Sequence, residues 1–582
     1  MAASTHWLAT ATAQSVLERG GNAFDAVAAG GFVLHVVEPH LNGPGGDLVG
    51  IFATASEPGV PVVLVGQGPA PAAATIEHFG LEGLDLVPGA GGLAAAVPGA
   101  VDAWLTLLRD HGTWEIAEVL GYAIGYARDG HPLLPQAAAT IARVAALFTD
   151  HWPTSAELWM PDGELPAAGS LHRNPAYADV LGDLVAAGAG AHDRAGRIDA
   201  ALHEWRHGRV AHDASAFLAP PHRHSDGADH AGLIRSSDFE AFAASYESAV
   251  AVEFRGHTVA KAGPWTQGPA LLQALRILEG YADTELDPST ERGAHLLLEA
   301  LGLALADRDA YYGDPSPHRP VVPIDDLLSP AYAAQRRGLI GERVSEGWSP
   351  GVVDGVPPFR PPLRADGAGE ADLSAVGEPT IARTGDTRGD TCHIDVVDRW
   401  GNIVAVTPSG GWLQSSPTIP TLGFCLGTRL QMTWLDPESP SALMPGRRPR
   451  TTLTPTLVLR DGRAMMAIGT PGGDQQEQWQ LAALLRMLAG GYTPQQAIDA
   501  PALHSTALID SFWPRAFAPA GAVVEDRLGD DLIEGLRRRG HVVTRAGEWM
   551  LGRLSAVGID HVRGTLWAAA NPRGAQGYAS GR

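Results

Sequence analysis

Between Thr391 and Asp398 apolar and polar positions alternate, with Cys392, Ile394 and Val396 on one face and Thr391, His393 and Asp395 on the other. A period of two is that of a half-buried strand. Gly401-Asn402 turns the chain into a second β-rich run, Ile403 to Thr407, so the pattern predicts a hairpin. Elsewhere the spacing is helical. Leu8 to Leu17 and Ala23 to Val37 carry apolar residues at helical spacing, separated by Gly20-Gly21-Asn22, and a glycine-rich turn, Glu38 to Asp47, leads into an apolar strand from Leu48 to Ala53. Residues 96–145 and the stretch from Ala306 to Pro315 read as helices joined by short loops. A late strand, Met465 to Ile468, ends in Gly469-Thr470-Pro471-Gly472-Gly473-Asp474, and a helix is predicted from Gln475.

Residues 351–390 break this patterning. They hold Pro357-Pro358, Pro361-Pro362 and many Gly, Asp and Glu, a composition that predicts a flexible linker. The linker runs straight into the strand that begins at Thr391. That layout suits a chain that must open at Asp390/Thr391 to expose a new N-terminus.

At 582 residues, 45% hydrophobic and 18% charged, the chain has the composition of a soluble globular protein with room for a large core. No run of eighteen apolar residues is present, so no membrane span is expected. A net charge of −23 argues against nucleic acid or an anionic membrane as partner, since both need clustered Lys and Arg. Cys392 and Cys425 are the two cysteines, too few for a disulfide framework. With no basic and apolar leader at the start, a cytoplasmic location is the expectation.

Two tempting sites carry less than they promise. The glycines of Glu38–Asp47 are not followed by Gly-Lys-Ser/Thr, so a phosphate cradle is not expected. His203, His207, His212, His222, His224 and His230 cluster in one region, and His203 and His207 have the spacing of one helical face. Their surroundings read as loop, however, and solvated histidines are expected there rather than a metal site.

Thr391, His393, Val396-Val397-Asp398, Gly401-Asn402 and Val404-Ala405-Val406-Thr407 resemble the start of the small subunit of γ-glutamyltransferases, members of the N-terminal nucleophile hydrolase superfamily. Further stretches, including Gly21-Asn22-Ala23-Phe24-Asp25 and Asp307-Arg308-Asp309, extend the resemblance over roughly three quarters of the chain. It implies an α+β fold, the four-layer αββα sandwich, built jointly by a large segment, 1–390, and a small segment, 391–582, that stay associated after cleavage before Thr391. It also implies a catalytic Thr391 that is both nucleophile and, through its α-amine with a pKa of about 7.7–8.0, its own base. Ser409 stands where the family has a second threonine bonded to the nucleophile, and Gly472 and Gly473 match the glycines of the oxyanion hole. No cofactor and no metal are implied. A homodimer is left open.

The candidate substrate-binding positions depart from the family. Gln67 replaces an arginine that clamps a carboxylate, a task that suits a planar bidentate donor. Gly411 replaces an asparagine. Arg429 to Met432 stand where Gln-x-x-Asp holds an amino group, and Thr451 and Thr452 replace two serines. Losing an acid and gaining Arg429 predicts a changed pocket charge and a small-molecule amide substrate other than a standard γ-glutamyl donor.

Three readings follow: a γ-glutamyltransferase-like hydrolase or acyltransferase, a cephalosporin-acylase-like or oxamate-type amidohydrolase, and a non-catalytic binding protein on the same fold. A cysteine hydrolase built on Cys392 and His393 is excluded because adjacent strand residues point to opposite faces.

Overall fold

The computed structural model describes residues 1–315, 322–364 and 391–582. Asp390 and the part of the expected linker from 365 to 390 lie outside the described residues.

Two antiparallel sheets stack between two helical layers. The first sheet has seven strands in the order Tyr578–Ser580, Ala2–Ser4, Ile394–Val397, Ile403–Ser409, Asp47–Ala53, Val62–Gly66 and Ser245–Ser248. The second has six, Thr565–Ala570, Ser555–Asp560, Arg463–Gly469, Thr456–Arg460, His257–Lys261 and Val250–Phe254. This is the expected αββα sandwich.

Each layer has its own core. Ile394, Val396, Val404 and Val406 face the helices Trp7–Glu18 and Ala23–Val37. The opposite face of the same strands, with Val397, Ile403 and Ala405, packs on Leu457, Ala467 and Val557 of the second sheet. Beyond that sheet, Val259, Val458 and Ile468 meet the helices Gly268–Leu278, Glu291–Tyr311 and Gln476–Leu488. A strand with a layer on each side is buried on both faces, whatever its alternation.

The helix Ala23–Val37 shows how the sequence seats the hairpin. Asn22 caps it by accepting from Phe24 and Asp25 N–H, and Asp25 returns a bond to Asn22 N–H. All fifteen residues of the helix are buried. A Cβ on Gly30 would sit 2.5 Å from Ile394 Cδ1, so Gly30→Ala would overpack this contact at a cost of about 1–3 kcal/mol. Asp398 shapes the hairpin turn by accepting from the N–H groups of Trp400, Gly401 and Asn402.

Residues 351–364 depart from the linker expectation. Asp307 accepts from Gly351 N–H at 2.6 Å, Phe359 N–H bonds to the Ala310 carbonyl, and the Phe359 ring joins Leu86, Trp434, Ile509 and Phe517. One well-placed aromatic anchors a segment whose composition reads as disordered. Among the described residues no helix is long and apolar enough to cross a membrane.

Candidate active site

Thr391 and Ser409 stand opposite each other at the open end of the hairpin. Ile394 pairs with Val406, and Cys392 N–H continues the register onto the Pro408 carbonyl at 3.0 Å. The same register brings the hydroxyls of Thr391 and Ser409 to 3.1 Å, with Thr391 donating. Both residues are buried.

Below them the polar stripe predicted from alternation runs between the sheets. His393 Nδ1 lies 2.9 Å from Thr407 Oγ1 and its Nε2 2.8 Å from Asp395 Oδ1, while Ser555 donates to Asp395 Oδ2 at 2.7 Å. Burial pushes the Asp395 carboxyl up, opposed by His393 and Ser555. The imidazole fills the place of a missing side chain, since a Cβ on Gly469 would fall 2.1 Å from His393 Cε1. The strand that leads to Gly472 and Gly473 is thereby seated on the Thr391 strand.

Cys392 points the other way. Its Sγ donates to Glu38 Oε2 at 3.0 Å and accepts from Asn42 Nδ2, and burial beside that carboxylate raises the thiol far above its ordinary range. Among the described residues its side chain shares no hydrogen bond with the His393 ring, which is held by Thr407 and Asp395, and it is a poor nucleophile.

The turn after Ser409 packs backbone to backbone on the glycine-rich turn 43–46. Gly411 has a φ of +63°, and a Cβ there would lie 2.8 Å from Gly46 N. An asparagine at this position has no room without moving that turn. Its glycines serve the close approach of one backbone to another.

Arg429 corrects one expectation. Its guanidinium does not add charge to the pocket, because it forms a bidentate pair with Asp47, Nε to Oδ2 at 2.7 Å and Nη2 to Oδ1 at 2.8 Å. The two side chains are 4% and 5% exposed. Gln67 lines the same small cavity with Asp47, Gly410 and Arg429. Its Nε2 donates to the Gly68 carbonyl, and its buried Oε1 has no partner among the described residues. Where the family resemblance implies an acid, Met432 joins Trp412 and Phe512 in an apolar cluster.

Phe512 also links this cluster to the glycines, since a Cβ on Gly473 would sit 2.6 Å from its ring. Gly472 has a φ of +118°, open in practice to glycine alone. Among the described residues neither Gly472 nor Gly473 N–H has an acceptor, which leaves both donors for an oxyanion. Gln267 Nε2 holds the Gly473 carbonyl at 3.0 Å and the Thr452 carbonyl at 3.4 Å, and Thr451 Oγ1 accepts from Leu453 N–H. Four expected residues, Gly472, Gly473, Thr451 and Thr452, thus belong to one unit.

Sequence reasoning missed the groups that hold this unit. Arg308 Nη1 donates to Gln267 Oε1 at 2.8 Å and pairs with Asp474, which also accepts from Ser511 N–H at 2.7 Å. The signal was there: Asp307-Arg308-Asp309 ends a helix otherwise rich in leucine and alanine, and charges on a helix buried on every side need buried partners. The histidine cluster meets expectation in part. His203 and His207 are exposed as expected, but they lie on the helix Arg194–His207 rather than in a loop, their rings stacked at 4.3 Å. His224 and His230 are instead buried, His224 accepting from Leu93 N–H and His230 held between Glu82 and Asp226.

The model of the family gamma-glutamyltranspeptidase matches residues 9–581. The chain belongs to the gamma-glutamyltranspeptidase family. Among its relatives, the glutathione hydrolase-like YwrD proenzyme of Bacillus subtilis is 29% identical over 99% of this chain and 97% of that one. The oxamate amidohydrolase proenzyme of Klebsiella pneumoniae is 30% identical, covering 100% of this chain and 98% of its own. The solved structure of LmbA2991HD superposes with a TM-score of 0.93 at 49% identity, covering 100% of this chain and 98% of that one. The protein is accordingly an enzyme of the gamma-glutamyltranspeptidase family.

Proposed function

We propose that this enzyme cleaves itself before Thr391 and then uses Thr391 to hydrolyse or transfer the acyl group of a small amide whose head group is uncharged. The carrying observation is the Thr391–Ser409 hydroxyl pair at 3.1 Å, placed at the end of a buried strand directly after the expected linker. In the first reaction the Thr391 hydroxyl adds to the Asp390 carbonyl. The C–N bond breaks, and water hydrolyses the resulting ester to leave segments 1–390 and 391–582 with a free α-amine on Thr391.

In turnover the hydroxyl attacks the substrate carbonyl while the α-amine takes its proton. The oxyanion is held by the N–H groups of Gly472 and Gly473. Collapse expels the substrate amine with that proton, and water or an acceptor amine then takes the acyl group from Thr391. Ser409 holds the nucleophile's oxygen in line.

The head-group subsite supports an uncharged acyl group. An α-carboxylate needs a free bidentate cation, and Gln67 is neutral while Arg429 is committed to Asp47. An α-ammonium needs an acid, and Met432 packs with Trp412 and Phe512 instead. The unpartnered Gln67 Oε1 suits a substrate N–H or O–H donor.

The test is the intact mass of the purified protein beside Thr391→Ala, followed by a screen of acyl amides. Two fragments in the wild type alone, with neutral acyl amides turned over faster than a γ-glutamyl anilide, are expected. A single uncut chain in both preparations sinks the reading in favour of a non-catalytic binding protein.

A further inference from the structure

Away from Thr391, the helix Glu291–Tyr311 carries His295 and Glu299 one turn apart on a single face. Both meet His541, from the turn before the strand Val542–Arg545. His295 Nδ1 lies 2.9 Å from His541 Nε2. One ligand atom from each of the three residues lies within 4.8 Å of the others, and all three side chains are buried. Among the described residues this is the one such group of His, Cys, Asp and Glu.

The outer partners of His295 and Glu299 aim their lone pairs inward. His295 Nε2 is 3.0 Å from the Gly341 carbonyl oxygen, so that nitrogen keeps its proton and donates, and Nδ1 presents a lone pair toward His541. Ser345 orients the carboxylate, its N–H at 3.2 Å from both oxygens of Glu299 and its hydroxyl donating to Oε2 at 2.6 Å. A backbone carbonyl behind a histidine and a hydrogen bond behind a carboxylate are the supports that position metal ligands. Arg292 and Arg539, whose charges act on His295, are both ion-paired, to Glu285, Glu291 and Glu342. Glu299 and His541 line a surface cleft together with Ser345 and Leu303, which gives an ion a route in and leaves space for a water as fourth ligand.

We propose that His295, Glu299 and His541 bind a zinc ion. Two imidazole nitrogens and one carboxylate oxygen form a ligand set typical of zinc. Zinc–nitrogen bonds of about 2.0–2.1 Å in tetrahedral geometry separate two nitrogens by about 3.3 Å, so the imidazoles must part by a few tenths of an ångström. Without the ion, His541 Nε2–H donates to His295 Nδ1 in an ordinary hydrogen bond; on binding, that proton moves to His541 Nδ1 through solvent and Nε2 takes the metal. Two ligands precede Thr391 and one follows it, so the ion would tie the large segment to the small one. That tie rests on the cleavage proposed above; the binding does not.

Protein stripped with EDTA is titrated with zinc by calorimetry and with cobalt by absorption. One equivalent bound, a cobalt spectrum of tetrahedral type, and the same uptake by the uncut Thr391→Ala chain are expected. Glu299→Gln and His541→Ala should weaken zinc binding at least about 100-fold, and Ser345→Ala, which removes no ligand, about 10-fold to 100-fold. In the cleaved wild type, zinc should raise the urea concentration at which the segments separate. Stripped protein with a native circular dichroism spectrum that takes up neither metal overturns the site, as does unchanged uptake by Glu299→Gln and His541→Ala together. Uptake by both wild type and Thr391→Ala without any effect on segment separation overturns the tie.

Discussion

Arg429 closes on Asp47 through two charge-assisted hydrogen bonds of 2.7 and 2.8 Å, almost sealed from solvent. Burial raises the Asp47 carboxyl, and the guanidinium works against that rise. The pair is better understood as a closed unit than as a free cation beside a free acid. Replacing Asp47 with Asn leaves a buried guanidinium uncompensated, and urea denaturation should register a loss of about 3–5 kcal/mol. The freed Arg429 should then accept an acidic acyl group. Relative kcat/KM for acidic over neutral acyl amides should rise by roughly 10-fold to 100-fold, the worth of a hydrogen bond to a charged group. Unchanged preference in a folded Asp47→Asn protein would place the head group elsewhere.

Ser409 contributes one hydrogen bond to the hydroxyl of Thr391. Ser409→Ala should slow both self-cleavage and turnover by roughly 10-fold to 100-fold with little change in KM, whereas Ser409→Thr keeps the hydroxyl and should stay within a few-fold of wild type. Time courses by gel and steady-state kinetics separate the two. Equal loss in both variants would argue for packing rather than hydrogen bonding.

Gly411 is held against Gly45 and Gly46 at positive φ. Introducing the family's asparagine should therefore destabilise the fold by about 1–3 kcal/mol, because asparagine tolerates the dihedral but its Cβ meets the Gly46 backbone. It should not restore γ-glutamyl hydrolysis. A Gly411→Asn protein that melts like wild type would show that the 43–46 turn yields easily.

Glu477 is buried 3.8 Å from Lys261, and neither carboxylate oxygen has a hydrogen-bond partner among the described residues. Burial pushes its carboxyl up to about 7 from an ordinary 4.5, with the Lys261 ammonium opposing the shift. The raised value means the folded state binds the proton more tightly than the unfolded one, so the stability that this group contributes is present below pH 4.5 and is lost as pH rises through about 7. Glu477→Gln cannot ionise. Its stability relative to wild type should grow across that window by up to about 3 kcal/mol, measured by urea denaturation at several pH values. A constant difference between the two proteins would contradict this assignment.

Periodicity made the Thr391 hairpin and the paired N-terminal helices legible, because alternation and helical spacing survive whatever packs on them. The placement of Ser409 beside Thr391 came from the family resemblance alone, and the hairpin register is what accounts for it. Three features were out of reach. The Arg429–Asp47 pair joins residues hundreds of positions apart, and charge counted along the chain cannot show which charges cancel. Residues 351–364 read as linker because composition averages over a window, while Phe359 acts as a single anchor. The Arg308–Asp474 support was visible only as misplaced charge, and its partner lay in another segment.

In the first sheet, Ala2–Ser4 lies between Ile394–Val397 on one side and Tyr578–Ser580 on the other. If the chain opens before Thr391, a strand of the first fragment remains threaded between two strands of the second. Separation then requires unzipping both edges at once, and a pre-folded half offers its counterpart no finished docking face. Genes encoding the halves separately should yield active enzyme when the two products fold in each other's presence, and little when each is refolded alone and mixed afterwards.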